Sequence, residues 1–278
     1  MQRPPPYFDG LIAAFHAGRV GRFVHLGAWD EPPNPDALAD RDAFERAQRR
    51  LNERLLALAG LADGLRVLDV GCGFGGTLEA VDELYGRMVL VGLNLDSRQL
   101  AICRSLQPHG GNDLSWVLAD ACALPLGQAS IDRLLCFEAM FHFESRRQFF
   151  REASRVLSAS GVMVVSDIVL RPAAHGADRA ADAELSRTVS QGFGVWPDFW
   201  GADADHRELG AAAGLVCTHY TDIAEATLPS HLFTAPRGAA SQDAVGRAAA
   251  GLAMLHRAGR LSYVAARFER APDPAARG

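Results

Sequence analysis

The residues best suited to chemistry form a glycine-rich loop in which an acidic side chain precedes four closely spaced glycines. The loop reads Val-Leu-Asp-Val-Gly-Cys-Gly-Phe-Gly-Gly over residues 67–76, and its acidic residue is Asp69. Glycines such as Gly71 and Gly73 carry no Cβ, so the backbone can turn sharply and approach a ligand closely. A helix beginning after the loop would direct free N–H groups and the positive end of its dipole at that ligand.

Asp69 indicates which ligand the loop would hold. Glycine-rich turns also occur in plain tight turns and in dehydrogenases that bind dinucleotides. A carboxylate two residues before the first glycine would repel a pyrophosphate, but it suits a ligand that carries an amino group and a sulfonium. The loop therefore favours an aminoacyl nucleoside over a dinucleotide.

Around the loop, short apolar runs alternate with helical patterns, which predicts a parallel sheet covered by helices on both faces. Strands are expected at Arg66–Val70, Met88–Leu93, Ser115–Ala119, Asp132–Phe137, Val162–Leu170 and Leu261–Phe268. Helices are expected at Asp40–Leu61, Thr77–Tyr85, Ser97–Leu106, Arg146–Leu157 and near Ala240–Ala258.

The 278 residues predict a single domain in four parts. An N-terminal arm and helix occupy residues 1–62, and the ligand-binding core occupies residues 63–170. An insertion follows over residues 171–240, and a helix and strand close the chain over residues 241–278. The arm and the insertion are available as a lid.

The loop resembles the first S-adenosylmethionine (SAM) motif of class I methyltransferases. The resemblance implies a Rossmann-like, seven-stranded α/β sheet with its last strand antiparallel, and SAM as the cofactor with no metal. Asn94 stands where the family usually has an acidic residue for the ribose hydroxyls, and Asp96 is the alternative. Asp120–Ala121 matches the adenine-edge motif. The implied cofactor-binding residues are Asp69, Gly71, Gly73, Asn94, Leu95, Gln99, Asp120, Ala121 and Phe137.

The resemblance also suggests the catalytic groups. His142 follows the fourth strand, where related O-methyltransferases carry a base, and Asp167 matches an acidic position after the fifth strand. We expect His142 to act as a general base or to orient the acceptor, with Asp167 as its partner or as a substrate contact. Many relatives have two adjacent histidines here, whereas this chain has Phe141 before His142. That departure leaves open an N- or C-acceptor, or catalysis by positioning alone.

Four further features of the sequence carry expectations of their own. The segment Val24–Trp29 is similar to the arm of natural-product methyltransferases, so the preferred reaction is O-methylation of a small metabolite, with N- or C-methylation second. His25 in this arm either contacts a ligand or bonds locally. Trp196 and Trp200 either form a wall for a flat acceptor or anchor the insertion. Arg146–Arg147 is expected to be a solvated helix start.

Composition excludes several partners and sites. The net charge is −5, and basic residues are scattered, which argues against a nucleic-acid substrate. The five cysteines are odd in number and lack CxxC spacing, which argues against structural zinc or a disulfide framework. No secretory signal or membrane-spanning run is visible, so we expect a soluble, cytoplasmic protein of open oligomeric state. Two alternatives to a methyltransferase are a nicotinamide-dependent oxidoreductase and a protein that binds SAM without catalysing methyl transfer.

Overall fold

A computed structural model describes residues 4–31, 33, 41–171, 179–200, 205–234 and 242–271. Seven strands of these residues form one sheet in the order β3-β2-β1-β4-β5-β7-β6. The strands are β1 (Arg66–Val70), β2 (Val89–Asn94), β3 (Asp113–Leu118), β4 (Ile131–Phe137), β5 (Leu157–Leu170), β6 (Leu215–Asp222) and β7 (Leu261–Arg270).

Helices surround the sheet and connect its strands. The α-helices are α1 (Tyr7–His16), α2 (Arg41–Ala59), α3 (Gly76–Leu84), α4 (Ser97–Cys103), α5 (Arg146–Val156), α6 (Arg179–Phe193), α7 (His206–Ala212), α8 (Ala224–Thr227), α9 (His231–Thr234) and α10 (Ala244–Arg257). Short 3₁₀ helices occupy Met140–His142 and Leu228–Ser230. None of the described helices combines the length and the apolar character needed to cross a membrane.

The pairing of the strands confirms the predicted fold. Neighbouring strands from β3 to β5 run parallel, whereas β7 is antiparallel to both β5 and β6. The strand β6 was not assigned from sequence because it mixes polar and apolar residues at the sheet edge, where most of its side chains are partly or fully exposed. The fifth strand begins at Leu157 rather than Val162, so it follows α5 without an intervening turn.

Two apolar cores lie on opposite faces of the sheet because side chains alternate along each strand. On one face, α2, α3 and α10 pack through Leu51, Val81 and Leu252 among others. On the other face, α5 and α7 pack through residues such as Phe149 and Leu209. Covering both faces explains why the central strands are almost continuously apolar.

The glycine-rich loop after β1 lies where the order of the strands reverses. The chain leaves β1 towards β2 on one side, while β4 lies on the other side of β1. The loops after these strands therefore diverge and leave a crevice at their carboxyl ends, which is where open α/β sheets bind ligands.

Candidate active site

A cavity of about 870 Å³ occupies this crevice. Its wall includes loops after β1, β2, β3 and β4, together with α1 and the arm that contains His25. Every cofactor residue implied by the sequence lines this cavity, as does His142. The predicted residues brought together here are Asp69, Gly71, Gly73, Asn94, Leu95, Gln99, Asp120, Ala121, Phe137 and His142.

The glycine-rich loop requires its glycines. Gly71 and Gly73 adopt left-handed φ angles of +79° and +54°, which favour glycine. A Cβ at Gly71 would lie 2.4 Å from the Cβ of Ala139, and one at Gly73 would lie 2.7 Å from Cγ2 of Val24. Gly75, with a φ of +85°, is the N-cap residue of α3. The loop is therefore packed so closely at these positions that only glycine fits. It leads directly into the N-terminus of α3.

Asp69 gives the loop its electrostatic character. The residue is 3% exposed, and no described residue donates a hydrogen bond to its carboxylate. Burial raises the pKa of Asp69 to about 7, because the charged form loses its hydration without gaining a partner. A bound cationic group would supply that partner, so the site fits the ammonium and sulfonium of SAM.

Asn94 and Gln99 form a polar pair beside the loop. Asn94 Nδ2 donates to Gln99 Oε1 at 3.0 Å, and Asn94 Oδ1 accepts from the backbone N–H of Asp96 at 3.0 Å. Asp96 caps α4 and its carboxylate is bound by Arg98, so it does not offer a free carboxylate to a ribose. Gln99 Nε2 remains buried without a partner among the described residues. Gln99 therefore offers the free hydrogen-bond donor of this group.

The cavity wall carries a second buried polar atom without a partner. His25 Nδ1 lies 2.6 Å from the carbonyl oxygen of Leu26, and Nε2 has no described partner. Burial lowers the pKa of His25 to about 4, so the ring is neutral, and Nδ1 donates to that carbonyl. Buried polar atoms are normally bonded. Two such atoms, on His25 and Gln99, together with the tight glycine loop, show that the residues present fit a polar nucleoside ligand.

Glu138 is a functional candidate to which the sequence predictions gave no catalytic or binding role. It follows β4 directly, and its φ of +52° is strained for a residue with a side chain. Its Oε2 accepts from the backbone N–H of Leu26 at 2.9 Å and from the hydroxyl of Tyr263 at 2.7 Å. Burial raises the pKa of Glu138 to about 7. A carboxylate of that pKa is matched to proton transfer near neutral pH. The sequence signal for such a role was the position of Glu138 at the carboxyl end of a predicted strand.

His142 lies on the same cavity but is held by the N-terminal helix. Its Nε2 is 3.1 Å from the hydroxyl of Tyr7, and its Nδ1 is buried without a described partner. Burial lowers the pKa of His142 to about 3, so the ring is neutral and its conjugate acid is strong. The structure therefore makes His142 a good hydrogen-bonding group and a poor acceptor of a whole proton.

Asp167 does not line the cavity, and its hydrogen bonds go to residues other than His142. Its carboxylate is fully buried, where Oδ2 accepts from Arg146 Nε at 2.8 Å and from His206 Nε2 at 2.9 Å. The pairing that the sequence suggested is thus replaced by another one. Arg146 is also buried, contrary to the expected solvated helix start, whereas Arg147 is exposed. The cause is geometric: Ser166 contacts Tyr263 on one face of the sheet, so Asp167 points to the other face.

Comparison with known proteins shows which family the chain belongs to. A family model described as a methyltransferase domain matches residues 68–165. The chain is 33% identical over 211 residues to methyltransferase GfsG of Streptomyces halstedii, covering 74% of this chain and 70% of that protein. It is 30% identical over 219 residues to 27-O-demethylrifamycin SV methyltransferase of Amycolatopsis mediterranei, covering 78% and 75%.

Solved structures show the same fold. Geranyl diphosphate C-methyltransferase of Streptomyces coelicolor superposes with a TM-score of 0.69 at 16% identity, covering 96% of this chain and 99% of that one. Mycolic acid cyclopropane synthase superposes with a TM-score of 0.71 at 21% identity, covering 89% and 90%.

The fold, the glycine-rich loop and these relatives define the class: the chain belongs to the class I SAM-dependent methyltransferases. It is an enzyme that uses SAM as its cofactor, as the loop predicted, and the oxidoreductase alternative is set aside.

Proposed function

We propose that this enzyme methylates a hydroxyl group of a small natural product. The observation that carries the proposal is that one cavity holds both the SAM loop around Asp69 and a carboxylate, Glu138, whose pKa is about 7. A hydroxyl must lose its proton as it is methylated, and Glu138 provides a place for that proton.

The chain's residues divide the work. When bound, SAM supplies a methyl group on a cationic sulfur, already activated for transfer. Glu138 accepts the proton of the acceptor hydroxyl, while the hydrogen bonds from Leu26 and Tyr263 fix the position of its carboxylate. His142 orients the hydroxyl by a hydrogen bond, and Tyr7 fixes the ring of His142. Of the two roles expected for His142, this assignment keeps the orienting one and gives the role of general base to Glu138.

The acceptor side of the cavity suits an apolar molecule. Aromatic and aliphatic side chains of Phe8, Phe141, Phe143 and Val195 line it beside His142. Such a wall excludes water, which strengthens the polar interactions that remain and protects the methyl donor. An acceptor with a large apolar skeleton and a few hydroxyl groups would match both features.

The names of the relatives support an oxygen acceptor. They include the rifamycin methyltransferase and erythromycin 3''-O-methyltransferase of Saccharopolyspora erythraea. The erythromycin enzyme is 29% identical to this chain over 194 residues, and the match covers 68% of this chain and 61% of that protein. We further propose one domain in which residues 1–62 and 171–240 form the acceptor lid. A cytoplasmic location and the absence of a nucleic-acid partner stay predictions.

A labelled-methyl assay tests the proposed function. We expect methyl transfer from labelled SAM to 27-O-demethylrifamycin SV or to a hydroxylated polyketide in an extract, without added metal. The product should carry the label on oxygen, as a methyl ether seen by mass spectrometry. Protein that binds SAM but labels nothing in this panel or extract would favour the alternative of a SAM-binding protein without turnover. Label on nitrogen or carbon would overturn the oxygen assignment.

A further inference from the structure

A buried ion-pair cluster lies outside the cavity, and the proposed chemistry does not use it. It consists of Arg146, Asp167, Asp198 and His206, which we call the Arg146 cluster. Arg146 is 3% exposed, and Asp167 and His206 are fully buried. Buried charges are costly unless they are paired and fully hydrogen-bonded, so an arrangement like this one constrains the structure strongly.

The bonds of the cluster satisfy its central carboxylate. Asp167 Oδ2 accepts from Arg146 and His206, and Oδ1 accepts from the backbone N–H of Ile168 at 2.9 Å. Burial alone would raise the pKa of Asp167, but Arg146 and His206 hold it below its usual range. Since both oxygens are occupied inside the protein, Asp167 acts as a structural anion rather than as a group that meets the acceptor.

Arg146 extends the cluster to the insertion. Its Nη1 lies 3.5 Å from both the backbone oxygen and a carboxylate oxygen of Asp198. Asp198 and His206 stand on either side of residues 201–204, which lie outside the described part of the chain. The cluster therefore joins β5 and α5 to both flanks of this stretch of the insertion.

The segment held in this way forms part of the acceptor wall. Gly194 and Val195 line the cavity, and Gly194 turns with a φ of +82°. Trp196 is buried against Phe141, with ring centroids 4.4 Å apart, and meets the His142 ring edge-on at 5.9 Å. Any movement of this segment would thus shift both the wall and the neighbour of His142.

We infer that Asp198 is a positioning residue, which through Arg146 and Asp167 holds residues 194–200 in place and so determines how the acceptor and His142 are oriented. The effect on the acceptor depends on the proposed function, whereas the effect on the segment does not. Asp198 is the member to change, because its side chain is 22% exposed and its loss leaves the Arg146–Asp167 pair intact.

The test compares Asp198→Ala with Asp205→Ala. Asp205 flanks the same stretch, but its side chain caps α7 and bonds Arg207. In protein saturated with S-adenosylhomocysteine (SAH), we expect hydrogen exchange of residues 194–200 to become about tenfold faster in Asp198→Ala only. Asp198→Asn keeps an oxygen acceptor for Arg146 and should restore most of the protection. The Kd for SAH should change less than about twofold.

Kinetics with a hydroxylated polyketide acceptor from the labelled-methyl assay add a second readout. Asp198→Ala should raise its KM by about tenfold, with a smaller change in kcat and in the KM for SAM. Unchanged exchange in residues 194–200, an equal increase throughout the sheet, or the same increase in Asp205→Ala would overturn the inference. If no acceptor is methylated, the proposed function fails while the exchange experiment still decides this inference.

Discussion

Gly73→Arg is expected to abolish binding of SAH, raising its Kd by more than about a hundredfold. Gly73 has a left-handed φ of +54°, and even a Cβ there would lie 2.7 Å from Val24. The longer arginine stem would enter the cavity that Gly73 lines. Isothermal titration of SAH into the purified variant measures the loss.

A matched control separates this effect from general strain on the backbone. Gly111 also has a left-handed φ, +72°, but a Cβ there meets nothing within 4 Å, and it does not line the cavity. Gly111→Arg should therefore keep the SAH affinity of the parent. If circular dichroism shows that Gly73→Arg does not fold, Gly73→Ala replaces it, with a weaker but still large loss expected. An unchanged Kd in a folded Gly73 variant would refute the assignment of the loop.

Glu138→Gln is expected to lower kcat by about 10²- to 10⁴-fold, the range for loss of a general base. The amide keeps the size of the side chain and can still accept from Leu26 and Tyr263, but it cannot take a proton. Because burial raises the pKa of Glu138 to about 7, kcat of the parent should rise with pH through 7 as the carboxylate ionises. Steady-state transfer of labelled methyl at saturating SAM measures both effects.

His142→Ala supplies the comparison for this prediction. We expect a smaller loss of kcat, because burial lowers the pKa of His142 to about 3 and leaves it an orienting role. SAH affinity should persist in both variants. The prediction would be contradicted if Glu138→Gln kept full turnover while His142→Ala was inactive. In that case His142 would be the general base.

Local patterns were sufficient to predict the central part of the fold. The strand Arg66–Val70 was predicted with its observed bounds, and the helix at Arg146 and the strand at Leu261 with their observed starts. Each is a short apolar or amphipathic run bounded by polar residues or glycine, which sequence patterns identify well. The strand β6 lacked such a pattern, because an edge strand can keep polar residues on its exposed sides.

The residues that we predicted to bind the cofactor line one cavity because most of them follow one another at the ends of successive strands. The expected pairing of Asp167 with His142 came from the match of Asp167 to an acidic position after the fifth strand, whereas the structure pairs Asp167 with Arg146 and His206. Which face of β5 a residue occupies depends on pairing with β4 and β7, and this information is not local. The burial of Arg146 has the same origin, since it depends on Asp167 and Asp198 from other segments.

The most direct test of the account is a titration of SAH into the unmodified protein without added metal, at pH 6 and pH 8. The claim is that residues 69–76 hold the amino-acid end of SAM, with the ammonium paired to Asp69. Since the pKa of free Asp69 is about 7, binding at pH 6 must displace a proton. We therefore predict one-to-one binding that is about tenfold tighter at pH 8. The claim would be contradicted if the titration showed no heat of binding with SAH while NAD or NADP bound clearly.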